Sequence, residues 1–375
     1  MILLVDYRPA LRARTGVGEY VHELLAALQR RRGTDDQVHL FTASLRDRLD
    51  PSVPRDLRGV RIHDLPIPVK LLHWAWNRYQ WPPVDRFVRM TPDVVHAAHP
   101  LLIPARRAAQ VITIHDLDFL DRPEGTRAEI RRDYARLVAA HAARADAVLT
   151  SSRHTAEAVR ERLGVSDDRI TTCPAGTPAW AKEGRATERR QDGYILFVGT
   201  LAPRKNVGTL LDAYERLAAR RPDVPPLRLA GAATPSARFW LERLARAPLL
   251  GRVEHMGYVA DANRRALFEG ASVLVMPSWH EGFGLPALEA MALGVPVVAS
   301  NRGALPEVVG DAGVLVDPAD ADALSDAIER VLTDAALARA CIQTGHARAE
   351  AWSWDQAAER VRGMYEAAAG RRRRR

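Results

Sequence analysis

Residues 275–299, V-M-P-S-W-H-E-G-F-G-L-P-A-L-E-A-M-A-L-G-V-P-V-V-A, constrain the fold more than any other stretch of the chain. An apolar run ending at Met276 gives way to a loop bearing Gly282 and Gly284, then to a short helical pattern that stops at Gly294. A second apolar run follows from Val297. The order is strand, loop, helix, strand. Pro286 suits the N1 position of that helix, and Pro296 reinforces the glycine stop.

Two carboxylates lie inside this stretch, Glu281 in the loop and Glu289 eight positions later on the helix. Glycines without Cβ let the backbone approach a ligand closely, and the free N–H groups of a helix start attract anions. An ionised carboxylate only accepts hydrogen bonds, through two oxygens, which matches a pair of vicinal sugar hydroxyls. A nucleotide sugar carries phosphate and diol together. The competing reading makes Glu281 a solvated loop residue and Glu289 an exposed helix position.

The same alternation runs through the whole chain. Apolar runs at Ile2–Asp6, Val38–Thr42, Val60–Leu65, Val94–His96, Val111–Ile114 and Ala147–Thr150 form a first series. Tyr194–Val198, Leu227–Ala230, Val253–Met256, Ser272–Met276, Val297–Ser300 and Gly313–Val316 form a second, with helical patterns between. Such a series predicts an α/β fold, a parallel sheet covered on both faces with ligands at the carboxyl ends of its strands. A length of 375 residues predicts two domains. Residues 1–178 form the first, 193–351 the second, and the polar segment 179–192 the linker.

Candidate site residues fall at strand ends. Thr15-Gly16-Val17-Gly18 follows the first strand as a phosphate-binding glycine loop, and it lacks the third glycine of the dinucleotide fingerprint. His115 follows Val111–Ile114 and is the best catalytic candidate among 12 histidines, the others reading mostly as surface residues. Asp116 and Asp118 spell D-x-D, either a cation ligand pair or a turn cap. Arg204 and Lys205 stand between a strand end and a helix start, where two cations can neutralise a diphosphate. Tyr258 and Val259 offer a wall for a nucleobase. Residues 71–89 concentrate aromatics: Trp74, Trp76, Tyr79 and Trp81 with Arg78, Arg86 and Arg89 read either as an interfacial or acceptor-binding surface or as core packing. Ser353 is the expected cap of a last helix.

Composition bounds the partners. A net charge of +8 asks for an anionic partner, but the arginines are dispersed and no nucleic-acid-binding module is recognisable, so nucleic acid is not expected. No run of about 20 apolar residues spans a membrane, and the N-terminal segment is too short for a signal peptide. Cys173 and Cys341 are too few for a disulfide framework. A cytoplasmic protein is expected. Arg371–Arg375 reads as a disordered basic tail (369–375) able to touch the anionic inner face of a membrane.

Three segments carry a family resemblance: Ile195–Asn206 (I-L-F-V-G-T-L-A-P-R-K-N), Pro277–Ser300 with Glu281 and Glu289 as an E-x7-E pair, and Leu305–Pro318 (L-P-E-V-V-G-D-A-G-V-L-V-D-P). From Ile2 to about Tyr365 the chain resembles the retaining glycosyltransferases of family 4, of GT-B architecture. Within them it is similar to the mannosyltransferase branch that builds bacterial surface polysaccharides. The resemblance implies two Rossmann-like domains facing across a cleft, with a last helix, 352–368, crossing back to the first domain. Glu289 would bind the ribose hydroxyls, Arg204 and Lys205 the diphosphate, and Glu281 with the backbone of Gly282, Phe283, Gly284 and Leu285 the donor sugar. Gly16 and Gly18 would close on the phosphates, and His115 would lie beside the reacting centre. The implied reaction moves a sugar, mannose in that branch, from a nucleotide-diphosphate sugar to a glycan or lipid-linked acceptor with retention, needing neither metal nor cofactor. Thr15 stands where the family often has a second glycine. A glycoside hydrolase using the two glutamates as acid and base, or a sugar-nucleotide epimerase, are the other enzyme classes open to these residues.

Overall fold

Each apolar run becomes a parallel strand in the computed structural model, which describes residues 1–11, 14, 16–123, 130–181 and 186–374. Thr15, residues 182–185 of the expected linker and Arg375 lie outside the described residues. The chain divides into two compact units, Met1–Gly176 with Ser353–Arg375, and Thr177–Trp352.

The first unit is built on β1 (Ile2–Asp6), β2 (Gln37–Ala43), β3 (Arg61–Leu65), β4 (Val94–Ala97), β5 (Ala109–Ile114), β6 (Ala147–Thr150) and β7 (Ile170–Thr172), in the order β3-β2-β1-β4-β5-β6-β7. All neighbours pair in parallel, with Leu3 opposite Val38 on one side and Val94 on the other. Strands β4, β5 and β6 are buried along their whole length, as a sheet covered on both faces requires. The reversal of strand order between β1 and β4 leaves a crevice at their carboxyl ends.

The helix Val17–Arg30 buries Tyr20, Val21, Leu24, Leu25 and Leu28, one stripe of an amphipathic pattern. It begins at Val17, so Gly18 belongs to its first turn rather than to a loop; Gly16, with φ +36°, is the residue that bends the chain into it. The helix Trp354–Arg373 is capped by Ser353, whose Oγ accepts from the Asp355 N–H at 3.2 Å. It buries Trp354, Ala357, Val361, Met364, Tyr365 and Ala368, and the Tyr365 hydroxyl meets His96 Nδ1 at 2.6 Å. A Cβ at Gly176 would stand 2.1 Å from the Trp354 nitrogen, so this close approach requires glycine.

One expectation fails here, and one open choice is divided between its two readings. The basic tail is not disordered through its length: the helix continues to Arg373, since Ala and Arg are good helix formers, Arg371 donates to the Asp146 carbonyl at 3.0 Å and Arg373 pairs with Asp93. Within the aromatic stretch, Trp76 is core, 2% exposed and donating from Nε1 to the Pro82 carbonyl, because helix Val69–Tyr79 turns it inward with Leu72. Trp74, Tyr79 and Trp81 stay exposed.

The second unit contains β8 (Tyr194–Val198), β9 (Leu227–Ala230), β10 (Val253–Gly257), β11 (Ala271–Met276), β12 (Val297–Ser300) and β13 (Gly313–Val316), all parallel in the order β10-β9-β8-β11-β12-β13. Its core joins Ile195, Phe197, Val273 and Val275 to the inner face of helix Val207–Arg220, Leu210, Leu211, Tyr214 and Leu217. The described part of the expected linker is fastened to this unit: the Ala186 N–H donates to the Leu293 carbonyl and Arg189 to that of Leu332. Among the described residues no helix is long and apolar enough to cross a membrane.

Candidate functional site

In the second unit, β8 is followed by Gly199, and a short 3-10 turn, Pro203–Lys205, leads to Asn206 in the left-handed region and then into helix Val207–Arg220. The Asn206 amide donates to the carbonyls of Pro277 at 3.0 Å and Pro318 at 2.7 Å, while its oxygen accepts from Thr209 Oγ1. One side chain thereby ties together the loops that follow β8, β11 and β13.

Held by that frame, Lys205 and Glu281 are both buried, and the ammonium pairs directly with Glu281 Oε1. Ser278 Oγ donates to the same oxygen at 2.7 Å, and Arg204 Nη1 lies 3.4 Å from Oε2. Burial alone would raise the Glu281 carboxyl; the charges of Lys205 and Arg204, with hydrogen bonds from Lys205 and Ser278, outweigh it and hold it at about 2. Arg204, Lys205 and Glu281, singled out separately in the sequence, thus lie together, and the solvated-loop reading of Glu281 fails. Gly303, with φ +63°, lies so close that a Cβ would meet the Glu281 carbonyl oxygen at 2.7 Å.

The loop continues through Gly282 and Phe283, whose ring is buried against Trp352 at 5.0 Å between centroids, to Gly284 at φ +110°. The helix runs Leu285–Leu293, so Pro286 occupies its second position rather than N1. Leu285 is buried at its start. Glu289 is not an exposed helix position: it is 1% exposed, and Arg264 donates to its Oε2 from Nε at 3.2 Å and Nη2 at 2.8 Å. Burial raises the Glu289 carboxyl and Arg264 opposes the rise. Tyr258 and Val259 follow β10, with Tyr258 48% exposed, past Gly257 in the left-handed region.

In the first unit, His115 follows β5 and packs edge-on against Tyr20 at 5.1 Å. Tyr20 belongs to the helix that Gly16 starts, donates to the Cys173 carbonyl and touches Trp354, so the glycine turn and His115 are joined through one ring. The His115 Nε2 is buried without a hydrogen-bond partner among the described residues. Burial lowers its imidazole to about 4, against the opposing charge of Asp116, so the ring is neutral near pH 7. Asp116 accepts from the Asp118 N–H at 3.2 Å, a turn-capping geometry, and Asp118 lies 4.0 Å from Arg122. The other histidines are not mainly at the surface: His22, His39, His96 and His141 are buried, and none of the 12 is fully exposed.

Sequence reasoning passed over Ser278, Arg264, Tyr20 and the role of Asn206. Ser278 stood three residues before Glu281 and Arg264 three after Asp261 on a helical pattern. The Ser278 partner is Glu281 itself in the same loop, so that spacing did carry a signal, whereas the Arg264 partner, Glu289, is on another helix that no local spacing indicates.

Comparison with known proteins agrees with this architecture. Residues 14–180 match the model of Glycosyltransferase Family 4 and residues 180–348 that of Glycosyl transferases group 1. The O-antigen chain mannosyltransferase B of Escherichia coli is 32% identical over 371 residues, covering 91% of this chain and 93% of that protein. Among solved structures, sucrose-phosphate synthase from Thermosynechococcus elongatus superposes with a TM-score of 0.73 at 25% identity, covering 98% of each chain. Anabaena Alr3699/HepE, solved in complex with UDP-glucose, shares the fold at a TM-score of 0.71 and 18% identity, covering 97% of this chain and 98% of that one. Two parallel-sheet units, each with its family match, and a relative aligned over nearly its full length make this chain a member of glycosyltransferase family 4, with GT-B architecture.

Proposed function

We propose that this glycosyltransferase moves a hexose, mannose by likeness to the Escherichia coli O-antigen enzyme, from a nucleotide-diphosphate sugar to a glycan or lipid-linked acceptor of cell-surface polysaccharide. The observation that carries the reading is the buried pair Lys205 and Glu281, with the half-buried Arg204 on the other carboxylate oxygen, beside the glycine loop that opens the Leu285–Leu293 helix. As the sugar–phosphate bond breaks, negative charge grows on the departing diphosphate and the anomeric carbon gains oxocarbenium character. Cations held in place before the reaction stabilise that charge without reorganising. Glu281 fixes the two cations and, with the backbone of Gly282 to Leu285, receives the donor sugar. Glu289 accepts from the ribose hydroxyls, Tyr258 and Val259 border the base, and Gly16 and Gly18 lie at the phosphates.

The acceptor oxygen attacks from the face the diphosphate leaves, which retains the anomeric configuration. The new glycosidic bond forms as the anomeric C–O bond to phosphate breaks, and the acceptor proton passes to the departing diphosphate. His115, neutral and with Nε2 unpartnered, hydrogen-bonds the donor sugar without adding positive charge beside an oxocarbenium-like carbon. Charge neutralisation by Arg204 and Lys205 replaces a divalent cation, so transfer persists in EDTA. Incubation of the protein with GDP-, UDP- and dTDP-sugars, each with a lipid-linked glycan, tests the reading. Transfer to the acceptor supports it; release of free sugar without a nucleotide donor, or conversion of the donor without an acceptor, refutes it.

Membrane contact belongs to the same reading. Leu71, Trp74, Tyr79 and Trp81 are each more than half exposed, Arg78 and Arg86 lie over the Tyr79 and Trp81 rings, and Lys70 and Arg89 flank them. Aromatic side chains among cations suit the headgroup layer of an anionic bilayer. The enzyme works at the cytoplasmic face of such a membrane. Co-flotation with anionic but not neutral vesicles, lost in Trp74→Ser with Trp81→Ser, is the expected result.

A further inference from the structure

The pairing of Glu289 with Arg264 is unusual in its geometry. Glu289 is carried by the Leu285–Leu293 helix and Arg264 by the separate helix Asp261–Glu269. A guanidinium that serves only to neutralise a carboxylate commonly matches one nitrogen to each oxygen. Here Nε and Nη2 both converge on Oε2, at 3.2 and 2.8 Å, and Oε1 receives neither. The Arg264 side chain is 14% exposed and that of Glu289 1% exposed, so solvent screens this contact weakly.

We infer that Arg264 is a positioning residue, which pins one oxygen of Glu289 and thereby fixes the carboxylate plane so that Oε1 is kept for a ribose hydroxyl of the donor nucleotide. The inference rests on the proposed role of Glu289 in donor binding. Rotation about the terminal bond of a glutamate is broad and close to two-fold, so an unheld carboxylate would have to be ordered at each binding event. Arg264 removes that cost. It does a second thing: burial favours the neutral acid, which is a poorer acceptor, and the Arg264 charge favours the carboxylate. Among the described residues, the other charged group acting on Glu289 is Asp261, at the start of the Arg264 helix, which opposes ionisation.

The test is calorimetric binding of UDP and GDP, each against its 2′-deoxy analogue, between about pH 5 and 8. Taking the tighter nucleotide, the native enzyme prefers the ribose form by about tenfold or more, the worth of a charge-assisted hydrogen bond. Arg264→Leu is expected to cut that preference to about threefold or less and to move the acid loss of binding to higher pH, since the cation that kept Glu289 ionised is gone. Arg264→Lys keeps the charge without the fork, so it keeps the native pH window while losing part of the preference. Arg264→Gln, closer in size, repeats the measurement should the leucine variant unfold. Native ribose preference and pH profile in Arg264→Leu or Arg264→Gln, with the preference lost in Glu289→Gln, would overturn the positioning role alone. Native preference in Glu289→Gln would instead overturn the donor-binding reading of Glu289 beneath it.

Discussion

Lys205 and Glu281 are paired inside the second unit, each nine-tenths or more buried, with Ser278 donating to the same carboxylate oxygen. Neither charge can be removed alone without leaving the other desolvated. Removing one partner of a buried pair costs about 3–5 kcal/mol, whereas replacing both by apolar groups is often close to neutral. Glu281→Leu is therefore expected to lower stability by about 3 kcal/mol, and Glu281→Leu combined with Lys205→Met by distinctly less. Chemical denaturation of the singles and the double measures the coupling; additive losses would show that the pair is not the unit.

Acid should expose the same pair. The Glu281 carboxyl lies below its ordinary range, at about 2, so its contribution to stability is complete above the unfolded value near 4.5 and is lost as pH falls from there through about 2. Histidines act over a higher window. His73 and His96 are lowered by burial to about 3, and His115 and His141 to about 4, so protonation favours the unfolded chain as pH falls below about 6.5. Melting temperature is expected to be flat from neutrality down to about pH 6.5 and to fall steadily below it. His115→Gln should flatten the slope between about pH 6.5 and 4, and an unchanged slope would count against its neutral buried state.

Transfer depends on the two cations. Arg204→Ala and Lys205→Ala are each expected to lower kcat/KM by about 10²–10³, the scale of losing one preorganised donor to a developing oxyanion. Steady-state kinetics with circular dichroism as a check on folding decides it. Native rates in both variants would remove them from the diphosphate site.

His115→Ala should separate binding from turnover. The side chain lies in the first unit and its Nε2 has no partner among the described residues, so removal should lower kcat while nucleotide affinity changes by less than about threefold. Equal losses in kcat and affinity would make His115 a structural residue.

Gly303 is fixed by its surroundings. Its φ is +63°, and a Cβ would stand 2.7 Å from the Glu281 carbonyl oxygen and 2.8 Å from its nitrogen. Gly303→Ala is expected to cost about 1–3 kcal/mol and to reduce transfer, because relief of the clash moves the backbone that carries Glu281. Denaturation midpoint and kcat measured together check both.

Most of the fold was legible because a parallel strand buried on both faces is a continuous apolar run, and such runs stand out between polar helices. Ile170–Thr172 escaped because its three half-buried residues, Ile-Thr-Thr, carry no such run. At the site, Arg204, Lys205 and Glu281 were legible because loops bearing cations and glycines follow strand ends. Arg264 was not, because its partner Glu289 lies 25 positions away on another helix and only packing joins them. The aromatic stretch stayed open between surface and core because an aromatic-rich helix does not announce which face turns inward: Trp76 is core, and Trp74, Tyr79 and Trp81 are exposed. The tail was read as disordered because repeated charge looks solvated, while Asp93 and the Asp146 carbonyl that anchor it are supplied by distant sequence.

The first unit is made of two pieces of chain, and the second lies wholly between them. A ribosome therefore finishes Thr177–Trp352 before it makes Trp354, Val361 and Tyr365, which the first sheet needs to cover His96 and its neighbours. The domain that begins synthesis first must wait, with part of its apolar surface bare, until the later one has been completed. Nascent chains released short of residue 353 should thus carry a finished second unit and a first one open to chaperones and proteases.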